Sequence, residues 1–92
     1  MVEIRFTRRA AAVMMECCSS PVASRRFFRE LGRKASTSEK VLRNCTTSDA
    51  IKGYHCLDMD LPGIRLWVLL CIRADGDIDV VGVGKRGVRG LV

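Results

Sequence analysis

The sequence predicts an α+β fold, in which two or three N-terminal helices pack on one face of a three- to four-stranded, mainly antiparallel sheet. Every acidic residue in the first half of the 92-residue chain is Glu, and every one in the second half is Asp. Glu favours helices, whereas Asp favours caps and turns. Apolar residues follow a helical spacing in the first half and alternate in the second. At this length we expect one domain, residues 1–92, with one modest core.

A short strand and a helix are expected first. Residues 2–6 alternate apolar and charged side chains, which is typical of a half-buried strand. Thr7 can then cap a helix. The apolar residues of this helix fall on one stripe at helical spacing. The members of the stripe are Ala11, Met14 and Cys18.

A second helix is expected to begin with Ser20 as its N-cap and Pro21 in its first turn. Phe27 and Phe28 are expected core residues of this helix. Gly32 can end the helix, although the following residues can also extend it. Its arginines lie mostly away from the apolar face and include Arg25, Arg26, Arg29 and Arg33.

A third, short helical turn is predicted by the spacing of Ser36 and Glu39, which matches a capping box. Residues 44–52 are polar and turn-prone, so we expect a loop there. The tail after residue 84 is short, basic and rich in glycine.

The second half is predicted to form the sheet. A weak strand over residues 53–59 precedes a turn at 61–63. Residues 64–73 are apolar on both alternating faces, as expected for a central strand. Residues 74–77 contain Asp-Gly and predict a tight type I′ hairpin turn, with a return strand over 78–84.

The positive charge of the chain is concentrated in its first half. Residues 1–44 contain ten Lys or Arg and four Glu, whereas residues 45–92 contain six Lys or Arg and six Asp. A basic surface favours nucleic acid, the ribosome or an acidic protein as a partner. A solvated helical face that only keeps the protein soluble accounts equally well for the excess.

Several classes of protein do not fit the sequence. No apolar run approaches the ~18 residues that span a membrane, and the N-terminus does not look like a secretory signal, so we expect the cytoplasm and no membrane partner. Five cysteines without a signal argue against a disulfide framework, and we expect them reduced and mostly buried. No spacing suggests a metal site or a cofactor-binding loop, so neither metal nor cofactor is expected.

Three basic residues stand out by their position on the predicted hairpin. Arg65 opens the central strand, and Lys85 and Arg86 close its partner. In an antiparallel hairpin these ends lie side by side, so the three charges could grip a phosphodiester. A salt bridge to Asp58 or Asp60 is the competing interpretation.

Three further side chains could contribute chemistry, and two of them, Tyr54 and His55, could reach the same end. Tyr54 and His55 lie on the adjacent predicted strand, and His55 could act as a general acid or base. A lone histidine is more often structural or merely exposed. Trp67 could stack on a base, although a tryptophan on a central strand is more often a core residue.

The order and spacing of four short segments resemble the RelE/ParE toxin superfamily. Residues 63–65 match the glycine, apolar residue and arginine that start the central strand in these toxins. Residues 84–86 match the Gly-Lys-Arg sequence that ends the following strand, residues 41–43 the Leu-Arg segment, and residues 4–6 the opening strand. The resemblance implies a RelE-like β-α-α-β-β-β arrangement and a toxin of a type II toxin–antitoxin system.

The resemblance further implies a ribosome-dependent mRNA endoribonuclease that arrests translation. In such members, arginines at the positions of Arg65 and Arg86 contact the scissile phosphate, and the 2′-hydroxyl of the mRNA is the nucleophile. We add His55 as a hypothetical proton shuttle and therefore assign catalysis to Arg65, Arg86 and His55. The expected RNA- or phosphate-binding residues are Lys52, Tyr54, Lys85 and Arg89.

Two departures from the family pattern keep other functions open. Asp58 and Asp60 occupy a strand that often offers lysines, and the tail lacks the tyrosine that often follows Gly-Lys-Arg. The alternatives are a ParE-like inhibitor of DNA gyrase without nuclease activity, and a degenerate member that only binds protein or nucleic acid. In the toxin interpretations we expect a cognate antitoxin, with a homodimer or a toxin–antitoxin hetero-oligomer both possible.

Overall fold

Within residues 2–45 and 53–86, three helices and four strands follow one another in the order that the sequence predicts. A computed structural model describes residues 2–45 and 53–86. The elements are β1 (Ile4–Phe6), α1 (Arg8–Cys17), α2 (Pro21–Ala35), α3 (Ser38–Asn44), β2 (Tyr54–Leu61), β3 (Ile64–Ile72) and β4 (Ile78–Lys85). The α+β fold class is therefore confirmed. Most of the predicted loop at 44–52 and the end of the basic tail, with Lys52 and Arg89, lie outside the described residues.

Each helix begins at a hydroxyl side chain. Thr7, Ser20 and Thr37 each accept a hydrogen bond from the backbone N–H three residues further on, at 3.0–3.1 Å. The expected cap at Ser36 is wrong, because α2 continues through Gly32 and Ser36 is its C-cap. None of the described helices has the length and apolar character needed to cross a bilayer.

The four strands form one mixed sheet in the order β1-β4-β3-β2. The pairs β2/β3 and β3/β4 are antiparallel, as short connections require. β1 pairs with β4 in parallel, so the sheet is not purely antiparallel. All three helices lie within the long connection between these two strands, and a parallel pair needs such a crossover. β3 has a neighbour on each side, which confirms its central position.

The β2–β3 turn holds only two residues outside the ladder. Leu61 pairs with Ile64, which leaves Pro62 and Gly63 between the strands. Gly63 has a φ of +78°, a conformation that glycine adopts without steric cost. This turn places the start of β3 at the end of the sheet where the candidate site lies.

The β3–β4 turn differs from the predicted type I′ hairpin. Type I′ requires positive φ at both central residues, and glycines alone have positive φ in the described chain, so Asp75 cannot fill one of them. Instead, the N–H of Gly76 donates to the carbonyl of Arg73 at 3.0 Å, and Gly76 itself has a φ of +93°. A turn followed by a left-handed glycine closes a longer hairpin loop.

One apolar core lies between the helices and one face of the sheet. The helices contribute Ala10, Met14, Cys18, Phe27, Leu31, Ala35 and Val41. The sheet contributes alternating residues of its longer strands, namely Leu57, Met59, Leu66, Val68, Leu70, Ile78, Val80 and Val83. No polar or charged side chain is buried among residues 2–45 and 53–86. α1 packs along β4, while α2 and α3 lie over β2, so the opposite sheet face is left largely uncovered by helices.

Two expectations about buried side chains are corrected. Phe28 is 47% exposed, because Phe27 takes the core-facing position of this turn of α2. Phe28 instead packs edge-on against Phe6 and Phe27, with ring centroids 5.7 and 5.5 Å away. The cysteines are not mostly buried: Cys18 is buried, and the other four are half-buried.

Candidate functional site

The β3–β4 ladder brings Arg65 and Arg86 together at one end of the sheet. The backbone N–H of Arg86 donates to the carbonyl of Arg65 at 2.8 Å. Arg65 and Lys85 are exposed, and Arg86 is half-buried. These three residues, which we call the cationic rim, line a cavity of about 190 Å³ with Cys17 at the end of α1. The hairpin geometry expected from the sequence therefore holds for these three positions.

The guanidinium of Arg86 is held by two carboxylates of β2. Its Nη1 lies 2.8 Å from Oδ2 of Asp58, and its Nη2 lies 3.2 Å from Oδ1 of Asp60. Since β3 separates β4 from β2, the side chain of Arg86 must cross β3 to reach them. The salt bridge that competed with phosphate binding therefore forms, and it forms at Arg86.

The electrostatic environment of Arg65 differs from that of Arg86. Within residues 2–45 and 53–86 it has no ion-pair partner, and its side chain is exposed. Asp60 stands opposite Arg65 in the β2–β3 register, but its carboxylate binds Arg86. Arg65 and Lys85 are thus the charges of the cationic rim that an anionic ligand can reach directly.

Two arginines of α2 lie beside the β2–β3 turn, in a cavity that acidic residues also line. Arg26 and Arg29 line this cavity of about 320 Å³ together with Glu30, Asp60 and Pro62. Sequence reasoning missed this contribution, since it gives the outward face of α2 but not the angle at which α2 crosses the sheet. Helix packing places that face beside the β2–β3 turn, which Arg65 of the cationic rim follows at the start of β3.

Tyr54 and His55 do not reach the cationic rim. His55 pairs with Leu70 in the β2–β3 register, whereas Asp60 pairs with Arg65. At about 3.4 Å per residue, His55 lies about 17 Å along β2 from that end, and Tyr54 lies further still. The expectation that both could reach the same end was wrong, because antiparallel pairing puts the start of β2 at the opposite end from the start of β3.

Trp67 lies on the uncovered face of the sheet, two residues beyond Arg65. Its indole rests against the β4 backbone at two glycines. A Cβ at Gly84 would overlap the ring, and one at Gly82 would come within 3.2 Å of it. Trp67 is half-buried, so the expectation of a core tryptophan is replaced by a ring that lies flat on the sheet surface.

The cationic rim can bind an anion and stabilise negative charge on it. Cys17 is the thiol at this cavity, and the histidine that could move protons lies at the other end of β2.

In the described part of the chain, no cluster of three or more His, Cys, Asp or Glu could hold a metal ion. Comparison with known protein families and with curated proteins finds no match.

Proposed function

We propose that this protein is a toxin of the RelE/ParE type that binds mRNA on the ribosome through its cationic rim and arrests translation by cleaving it. The observation that carries the proposal is the exposed Arg65, without an ion-pair partner in residues 2–45 and 53–86, beside Lys85 and Arg86. The described chain has one strand, then three helices, then three strands. This order is compatible with the RelE-like arrangement. The proposed compartment is the cytoplasm.

In the proposed reaction the 2′-hydroxyl oxygen of the mRNA attacks the adjacent phosphorus, and the bond from phosphorus to the 5′-oxygen breaks. The products are a 2′,3′-cyclic phosphate and a 5′-hydroxyl. Arg65 neutralises the charge that develops on the phosphate oxygens, and Lys85 anchors the backbone. The proton leaves the 2′-hydroxyl to water, and water returns one to the leaving oxygen, since His55 lies about 17 Å away along β2.

Arg86 takes a supporting role in this proposal. Its two bonds to Asp58 and Asp60 hold the guanidinium across β3, where it offsets part of the negative charge of these carboxylates without direct access to the ligand. Side-chain exposures of 39% and 62% leave both carboxylates in contact with solvent, so they weaken the site less than buried charges would.

A second candidate is a ParE-like inhibitor of DNA gyrase that cleaves nothing. It is favoured by the two carboxylates beside the cationic rim, which repel RNA, and by the distance of His55 from it. In both candidates we expect a cognate antitoxin whose acidic segment covers Arg65 and Lys85. Charge complementarity with the exposed rim supports this expectation.

Expression in bacterial cells with matched variants tests the proposal. Arg65→Ala removes the accessible charge at the cationic rim. Arg73→Ala removes an exposed arginine at the opposite end of β3, where it pairs with Asp75 and Asp79. We expect wild type and Arg73→Ala to arrest growth and to produce new mRNA 5′-ends within codons, and Arg65→Ala to do neither.

Three other outcomes would each change this assignment. Growth arrest with intact mRNA, together with inhibited gyrase supercoiling and a DNA-damage response, would establish the second candidate. Equal arrest and equal mRNA cleavage by Arg65→Ala and wild type would remove the role assigned to the cationic rim. Harmless overexpression of the wild type would leave a non-toxic binding protein as the remaining interpretation.

A further inference from the structure

The indole of Trp67 lies on a surface that the neighbouring strand keeps free of side chains. Gly84 stands directly opposite Trp67 in the β3–β4 register, and Gly82 stands opposite Leu69. Glycine weakens a strand and commonly marks a place where another group approaches the backbone closely. Here the approaching group is the ring, since a Cβ at Gly84 would overlap it.

A groove opens beside this ring, along the part of β4 that β1 does not pair with and where α1 packs against β4. It encloses about 320 Å³, and its walls include Trp67, Leu69 and Val81 from the sheet and Val13 from α1. Arg9 of α1 also lines it, as the one charged residue in the set. Apolar walls, one aromatic ring and a nearby cation form an environment that suits a flat heterocycle better than a charged or fully aliphatic group.

The groove also lies about one nucleotide's length from Arg65 of the cationic rim. Arg65 and Trp67 are alternate residues of β3, so their side chains leave the same face of the sheet about 7 Å apart. This separation is comparable with the span between the phosphate and the base of one nucleotide. A single strand that places a phosphate at Arg65 can therefore lay a neighbouring base against the indole.

We propose that Trp67 is a stacking platform for an unpaired base of the RNA whose phosphate lies at Arg65. The inference rests on the proposed function, because it takes the position of the phosphate from that proposal. Stacking on an aromatic side chain contributes about 1–3 kcal/mol per base and tolerates every base. The platform thus selects single-stranded over double-stranded RNA, in which the bases are already stacked on one another.

A chain with a single tryptophan offers a direct measurement. The full-length protein is titrated with short oligoadenylate and oligouridylate, with indole fluorescence and the anisotropy of end-labelled RNA recorded in parallel. Inorganic polyphosphate serves as a ligand that has the charges but no bases. We expect both oligonucleotides to quench the indole emission and polyphosphate to bind without quenching it.

Variants separate stacking from charge. Trp67→Leu should weaken RNA binding by roughly ten- to a hundredfold, following the stacking energy, and Trp67→Phe should recover part of the loss. Gly84→Ala keeps the indole but displaces it, so it should shift the emission of the free protein and weaken RNA binding. Phe28→Leu is the matched control, because Phe28 is an exposed aromatic residue that packs on Phe6 at the far end of β4, and it should leave the affinity unchanged.

The measurements distinguish failure of the stacking platform from failure of the proposed function. RNA that binds the wild type without quenching, and binds Trp67→Leu and Trp67→Phe with the same affinity, overturns the platform and leaves the proposed function intact. If RNA binds neither the wild type nor any variant, both the stacking platform and the proposed function are overturned. Polyphosphate that quenches the indole as strongly as RNA also overturns the platform, because the signal then reports charge alone.

Discussion

At the scale of single residues, three arginines on the same face of the sheet have three different electrostatic environments. Arg73 lies 3.2 Å from Asp79, and Arg86 lies 2.8 Å from Asp58, while Arg65 has no ion pair in the parts of the chain that are described. The sequence predicts that Arg65 and Arg86 meet, since hairpin pairing follows from the strand pattern. It does not predict that the carboxylates pair with Arg86 instead of Arg65, because that depends on side-chain conformations and not on the strand pattern.

Replacing the two carboxylates that hold Arg86 should strengthen RNA binding. Asp58→Asn combined with Asp60→Asn releases the guanidinium and raises the local charge by two, so we expect the affinity for short single-stranded RNA to rise several-fold at low salt. The gain should shrink as salt increases, because added phosphate contacts release counterions. The free energy of unfolding should fall by no more than about 1 kcal/mol, since exposed ion pairs stabilise little.

A matched pair of aspartates at the other end of β3 provides the control. Asp75→Asn combined with Asp79→Asn changes the net charge equally and releases Arg73, at the other end of the hairpin, where Asp79 is opposite Cys71 and Arg73 lies beyond the end of β3. Binding measured by anisotropy should change much less in this variant. An equal gain in both double variants would mean that net charge alone governs affinity.

At the scale of elements, local sequence signals predict where a helix begins better than where it ends. The hydroxyl caps Thr7 and Ser20 stand where expected, because an N-cap acts through hydrogen bonds within one turn. Gly32 did not end α2, since the apolar contacts of Leu31 and Ala35 with the core outweigh the low helix propensity of one glycine. Tertiary packing therefore decided the helix boundary that propensity left open.

Two glycines should respond oppositely to the same substitution. An added Cβ meets no atom within 4 Å at either Gly32 or Gly63, so only backbone conformation distinguishes them. Gly32→Ala should raise the free energy of unfolding by about 0.5–1 kcal/mol, because alanine is the better helix former. Gly63→Ala should lower it by about 1–2 kcal/mol, because φ is +78° there. Chemical denaturation measures both, and a change of the same sign at the two positions would contradict this account.

At the scale of the whole molecule, the fold class and the strand order in the β2-β3-β4 meander could be predicted, because they depend on periodicity and short connections. The parallel pairing of β1 with β4 could not, since it depends on how three helices carry the chain across the sheet. The same limit applies to the site. The meeting of Arg65 and Arg86 is local to one hairpin, whereas the approach of Arg26 and Arg29 and the groove at Trp67 require helix packing.

Among the buried residues of 2–45 and 53–86, the one titratable side chain is the thiol of Cys18. Burial, with a smaller contribution from the charge of Cys17, raises the pKa of this thiol. The folded state therefore holds the proton more tightly than the unfolded state, in which the pKa is about 8.5. The stabilisation that the thiol contributes is complete below about pH 8.5 and is lost as pH rises through the pKa of the folded state.

We expect the stability advantage of wild type over Cys18→Ala, measured by denaturation from about pH 7 to 10, to shrink above about pH 8.5. Parallel stability curves for the two proteins across this range would show that the thiol does not couple to folding.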